Sequence, residues 1–189
     1  MTQNSNIPYK AKLYKTACQL LKTYYTGKEG IHYFSIKKME VLNLPDYSAQ
    51  LRLNASGDKI FDPIRKKYVA LTPEEWVRQN FLQYLIQELQ FPAGLISIEM
   101  PLTLNGLSRR CDIVVFDQTG IARLIVELKA PSVTINQKTF DQIATYNLKL
   151  NVDYLIISNG IKHYCCKMDY SKNTYHFLEQ MPNYSDMIG

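Results

Sequence analysis

Asp112 and the triplet Glu127-Leu128-Lys129 are the residues of this 189-residue chain whose types and spacing could do hydrolytic chemistry. Alternation along a strand puts Glu127 and Lys129 on one face and Leu128 on the other. Asp112 opens the apolar run "DIVVF", and "QTG" at Gln118–Gly120 separates that run from "RLIVELK". If the turn is centred near Thr119, Asp112 lies opposite Val126 or Glu127, and two carboxylates meet at one end of a sheet. Such a pair repels itself unless something positive sits between. A divalent cation with hard oxygen ligands suits the gap, and Mg²⁺ takes one or two carboxylates plus waters and phosphate oxygens. Lys129 on the same face could then orient or deprotonate a metal-bound water. The plainer reading is a frayed strand end with a surface ion pair, worth roughly 0–1 kcal/mol.

These residues need elements to hold them. In "LTPEEWVRQNFLQYLIQELQFP", Thr72 suits an N-cap, Pro73 the first helical position, and Glu75 the reciprocal place in a capping box. Val77, Phe81, Leu82, Leu85, Ile86 and Leu89 recur at helical spacing, predicting a helix of roughly five turns that ends before Pro92. The period then shifts towards two. "LISIEMPLTL", a turn at Asn105-Gly106, "RRCDIVVFD", the turn at "QTG" and "IARLIVELK" predict three antiparallel strands in a meander. "NQKTFDQIATYNLKL" follows with an apolar stripe of Phe140, Ile143, Ala144 and Leu148, hence a second helix. "YLIIS", a turn at Asn159-Gly160 and "IKHYCCKM" predict two further strands. The expected fold class is α/β, a mixed sheet flanked by helices, because a helical crossover delivers the fourth strand in the parallel sense.

The expected organisation is an N-terminal extension over residues 1–38 with a short helix in "LYKTACQLLKTYYTG". Loops and a hairpin follow over 39–70, a core over 71–170, and a polar, aromatic tail over 171–189. With 46% hydrophobic and 21% charged residues the chain has material for one real core. No apolar run is long enough for a membrane span, and "MTQNSNIPYK" lacks a signal-peptide core, so a cytoplasmic location is expected. Cys18, Cys111, Cys165 and Cys166 form no zinc or disulfide spacing. His32, His163 and His176 are scattered. A net charge of +5 and a pI near 8.9 are consistent with a polyanionic partner, and Arg109-Arg110 and Arg65-Lys66-Lys67 are the local basic runs. No phosphate loop is present, since Lys22 and Glu29 flank Gly27-Lys28 where Gly and Ser or Thr are required.

The order Asp…Glu-x-Lys on adjacent strands after a helix resembles the active site of the PD-(D/E)XK nuclease superfamily. "LTPEEWVRQ", "RRCDIVVFD", "LIVELKAPS" and "DQIATYN" together resemble the N-terminal nuclease domain of type I restriction enzyme R subunits, over about residues 60 to 165. The resemblance implies a restriction-endonuclease-like core and a Mg²⁺-dependent DNA endonuclease, with Mn²⁺ as a substitute ion. Asp112 and Glu127 would be metal ligands and Lys129 the residue that positions or activates water. Glu75 would complete the metal site, with Glu74 one position away as the alternative acid and helix capping as Glu75's other role. Gln142 and Tyr146 match a Q-x-x-x-Y pattern on one helix face. DNA is the implied partner, met by Tyr146, Arg109 and Arg110, and protein partners of a restriction or repair system are implied beside it. Cys111 stands where the superfamily's name puts proline. Resemblance to the type I region begins near Met39, which suggests residues 1–38 are a dispensable extension. A non-catalytic nucleic-acid- or protein-binding module on the same fold is the competing expectation.

Overall fold

A computed structural model describes residues 39–104 and 106–188. The helix expected within residues 1–38, and the reading of that segment as an extension, lie outside the described residues.

The first elements among the described residues form a two-stranded hairpin, β1 (Lys59–Asp62) against β2 (Lys67–Ala70). Helix α1 (Pro73–Gln87) follows, with Pro73 at its start and the Thr72 hydroxyl accepting the Glu75 N–H at 3.1 Å. Only half of the expected capping box forms. The Thr72 N–H bonds to Ala70 O at 3.0 Å, and the Glu75 carboxylate is drawn elsewhere. Val77, Phe81, Leu82 and Leu85 are completely buried. Burying each such side chain contributes roughly 1.5–3 kcal/mol relative to exposure, which holds α1 on the sheet.

Six strands build that sheet: β3 (Ile96–Leu104), β4 (Leu107–Phe116), β5 (Ala122–Leu128), β6 (Tyr154–Ser158), β7 (His163–Asp169) and β8 (Thr174–Leu178), in that spatial order. Every neighbouring pair is antiparallel except β5 and β6. Between those two runs helix α2 (Gln137–Leu150), the crossover that parallel neighbours require. Gly106 and Gly120 take positive φ in the tight β3–β4 and β4–β5 turns. A short helix, α3 (Tyr184–Ile188), ends the described chain.

Two cores flank the sheet. One packs α1 and the 39–58 segment, through Tyr47, Leu51 and Leu53, against Ile113, Val126, Leu128 and Ile156. The other packs α2 against Val114, Ile125, Leu155 and Ile157. Strands β5 and β6 are covered on both faces, hence their nearly unbroken apolar sequences. No helix among the described residues is long and apolar enough to cross a membrane.

Two local expectations are corrected. The buried face of α2 is Thr139, Ile143, Tyr146 and Asn147, whereas Leu148 is 86% exposed and Ala144 is also exposed. The helix is rotated because Asn147 is tied inward, accepting from Val152 N–H at 2.8 Å and donating to the Tyr170 hydroxyl at 3.0 Å. Residues beyond 170, expected only as a tail, supply the edge strand β8 and α3. Their strand pattern was hidden because β8 has no buried side chain to alternate against.

Candidate active site

The hydrophobic register of β4 against β5 pairs Ile113 with Val126 and Val114 with Ile125, so Asp112 sits at the end of the ladder beside Glu127. One oxygen of Asp112 accepts the Leu128 N–H at 2.7 Å. On its other side the β3–β4 pairing passes from Ile98↔Ile113 to Met100↔Cys111 without pairing Glu99 to Asp112, and Glu99 has φ of 50°. A local kink in β3 therefore faces the acid.

Glu127 is 2% exposed. Its Oε1 accepts from Lys129 Nζ at 2.6 Å and from Gln142 Nε2 at 2.7 Å. Its Oε2 is buried and has no hydrogen-bond partner. Burial, and then the charge of Asp112, push this carboxyl up to about 7. Lys129 moves the opposite way to a buried amine: burial works to lower it, but the Glu127 contact overcomes that and its pKa is raised. It is an ammonium at neutral pH, so it donates hydrogen bonds rather than taking a proton. The Cys111 thiol is pushed up to about 12 by burial and by the Glu127 and Asp112 charges, and is inert as a nucleophile.

Helix α2 contributes Gln142, which donates to the Tyr146 hydroxyl at 2.9 Å and accepts from Lys129 at 3.2 Å. The Tyr146 ring is buried in the α2-side core, and its hydroxyl reaches the site through Gln142. Arg109, Lys138, Asp141, Gln142, Thr145 and Tyr146 line a groove of about 380 Å³ alongside. Arg110 is exposed and lies 3.6 Å from Glu99.

Glu75 is drawn into a different network. Its Oε1 accepts from Arg65 at 2.8 Å and from Gln79 at 2.8 Å, and its Oε2 accepts from Arg78. The helix acid that faces the site is Glu74, whose carboxyl is raised by burial and by Asp112 against the pull of Arg78 and Lys129. Among the described residues no group of three or more His, Cys, Asp or Glu side chains is arranged to hold a metal ion. Two carboxylates with a free, buried oxygen do suit Mg²⁺, which completes its shell with water and phosphate oxygens.

Three participants escape a reading of the sequence. Arg78 donates to Asp112 Oδ1, the oxygen that the Leu128 N–H does not reach, at 2.8 Å and to Glu74 at 3.3 Å. The only hint was its spacing of four and three residues from Glu74 and Glu75. Arg65, which the sequence shows only as part of a basic run, is largely covered and grips Asp62, Glu75 and Glu99 at 2.5, 2.8 and 2.6 Å. Glu99, which looks like a strand-edge solvent residue, is the third member of that grip.

A structure described as a fragment of an HsdR subunit of a type I restriction enzyme from Vibrio vulnificus YJ016 is similar to 64% of this chain, at 18% identity and a TM-score of 0.48. The similar part is 25% of that chain, so the present protein spans a small share of its length. No curated protein matches. The family model for the N terminus of type I restriction enzyme R proteins matches residues 73–182. That interval includes α1, the whole six-stranded sheet and every side chain around Asp112 and Glu127; the chain belongs to the family of type I restriction enzyme R protein N termini.

Proposed function

We propose that this chain is a metal-dependent phosphodiesterase that cuts DNA, built on a restriction-endonuclease-like core. The observation that carries the reading is Glu127: a buried carboxylate with one oxygen left unpartnered, crowded by Asp112, beside an ammonium and an amide. A buried polar atom without a partner costs roughly 1–3 kcal/mol, and a fold keeps that cost where a ligand removes it. Asp112 and Glu127 would hold Mg²⁺ or Mn²⁺, with Glu74 closing the site from α1. When bound, such an ion lowers the pKa of a water and stabilises charge developing on the scissile phosphate.

The side chains supply the rest. Lys129, kept protonated by Glu127, donates to the attacking water or to a phosphate oxygen and fixes its direction. Gln142 holds Lys129 and Glu127 in register, and the Tyr146 hydroxyl fixes Gln142. Arg109 and Lys138 on the groove wall attract the DNA backbone, and Arg110 on the exposed strand adds to that field. Protein partners in a restriction or repair system would supply any ATP-driven movement, for which this chain has no phosphate loop.

The test is incubation of the purified chain with supercoiled, linear and single-stranded DNA, with and without Mg²⁺ or Mn²⁺. Metal-dependent cutting that disappears in Asp112→Ala and Lys129→Ala is expected. Variants that cut like wild type would overturn the assignment. A non-catalytic module is the competing reading, supported by both Asp112 oxygens being already engaged by Arg78 and the Leu128 N–H, and calorimetry showing no Mg²⁺ or Mn²⁺ binding would establish it.

A further inference from the structure

Arg78 is the least expected side chain near the site. It lies in the first turns of α1, its side chain is 5% exposed, and it contacts three carboxylates: Asp112, Glu74 and Glu75. Its Nε is buried without a partner. A buried arginine is costly unless its donors are matched, and here the matched donors all point at acids. Those contacts are not equivalent. Glu75 is itself held by Arg65 and Gln79, and Arg65 is held by Asp62 at the end of β1 and Glu99 in the kinked part of β3. The chain of contacts therefore runs from the β1–β2 hairpin, through Arg65 and Glu75, to Arg78, and ends on the oxygen of Asp112 that Leu128 does not hold.

We propose that Arg78 is a positioning residue for the metal site: anchored by Glu75 and Arg65, it sets the orientation of the Asp112 carboxylate. This rests on the nuclease reading for its consequence, though not for its geometry. Asp112 lies at the end of the β4–β5 ladder, one residue beyond the last pairing of Ile113 with Val126, so its side chain is oriented by hydrogen bonds. With one oxygen on the Leu128 amide and the other on Arg78, its plane is defined. Each carboxylate oxygen keeps a second lone pair, so the arginine orients Asp112 without removing it from a cation's reach. Partners of this kind, one step behind the ligands, typically matter by roughly 10–100-fold in affinity or activity.

Arg78→Met and Arg78→Lys, in the full chain, test this with three readouts. The first is hydrogen exchange of the Leu128 amide, whose acceptor is Asp112. Arg78→Met should speed it about tenfold or more while the amides of Val126 and Ile156 keep their protection, a local change that general destabilisation does not produce. The second is Mn²⁺ affinity by calorimetry, expected to fall roughly 10–100-fold in Arg78→Met and to recover partly in Arg78→Lys. Coulomb attraction alone predicts the reverse, because removing a positive charge from beside a cation site strengthens binding. The third is DNA cleavage, where kcat should fall and KM hold. Unchanged Leu128 exchange, or Mn²⁺ affinity that stays level or rises, overturns the proposal. If Arg78→Met does not fold, Arg78→Lys is judged by the same three measurements. A wild-type chain that neither binds Mn²⁺ nor cuts DNA, but whose Leu128 protection still depends on Arg78, would refute the nuclease reading and leave the orienting role of Arg78 standing.

Discussion

The β4–β5 hairpin carries a nearly buried acid at each end, and the two are treated in opposite ways. At the turn, Asp117 accepts the Thr119 N–H at 2.8 Å, the Thr119 hydroxyl at 2.6 Å, the Ile121 N–H at 3.0 Å and Arg123 Nε at 2.8 Å. The Thr119 hydroxyl, followed by Arg123 and the two amides, holds its carboxyl far below the usual range. At the other end Glu127 has an oxygen with no partner and a carboxyl raised to about 7 by burial and by Asp112. Both acids belong to the same hairpin. Saturation of the carboxylate, together with the deeper burial of Glu127, separates the acid that builds the turn from the acid available for chemistry.

The largest expected contrast is in cleavage. Glu127→Ala should lower the rate on the order of 10²–10³-fold or more, the scale of losing one electrostatic contributor to a transition state, while Asp117→Ala leaves it near wild type. Equal rates for the two variants in a Mg²⁺ cleavage assay would erase the distinction. Thermal unfolding should show the reverse order, with Asp117→Ala lowering Tm and Glu127→Ala leaving it level or raising it.

The pH dependence of stability sharpens the comparison next. The folded state keeps a proton on Glu127 up to about 7 while the unfolded chain releases it near 4.5, so stability falls as pH rises across that window and is flat above it. The full effect is on the order of 3 kcal/mol, since each pKa unit corresponds to about 1.4 kcal/mol. Glu127→Gln should flatten this slope in urea unfolding measured from pH 4.5 to 8. Asp117 has the opposite sign: its stabilisation is present above the ordinary aspartate value of 3.8 and is lost as pH falls through its lowered folded value. Asp117→Asn should therefore remove part of the acid limb only.

Mn²⁺ should then raise Tm more at pH 8 than at pH 6, because the ion competes with the Glu127 proton. At a concentration 100 times Kd the gain is about 2.7 kcal/mol. Asp117→Asn should keep that response and Glu127→Gln lose it. The smallest effect is expected at Glu74, half-exposed and paired with Arg78 at 3.3 Å. Glu74→Gln should weaken Mn²⁺ binding a few-fold and change stability by no more than about 1 kcal/mol.

Legibility differed sharply between parts of the site. The short turn at Gln118–Gly120 and strand alternation were enough to bring Asp112, Glu127 and Lys129 to one end of the sheet on paper, and the observed register does so. Gln142 and Tyr146, four residues apart on α2, meet each other as helical spacing requires. Arg78, Arg65 and Glu99 were illegible, because each draws its meaning from a residue 10 to 34 positions away. The rotation of α2 was hidden for a similar reason: Asn147, a polar residue, turns inward on bonds to Val152 and Tyr170, against an apolar stripe that includes Leu148.

By itself the sequence determined the periodic features: where the period changes from helix to strand, where Gly breaks the strands, and which acids end apolar runs. Those depend on backbone geometry and neighbours in the chain. Only the tertiary structure decided which carboxylates are satisfied. Glu75 and Asp117 are both fully matched, one by Arg65 from outside its helix with Arg78 and Gln79 one turn along it, and the other by its own turn, whereas Glu127 keeps an unpartnered oxygen. Hydrogen-bond partners for a buried charge come from whatever packs against it, and packing is a property of the whole fold.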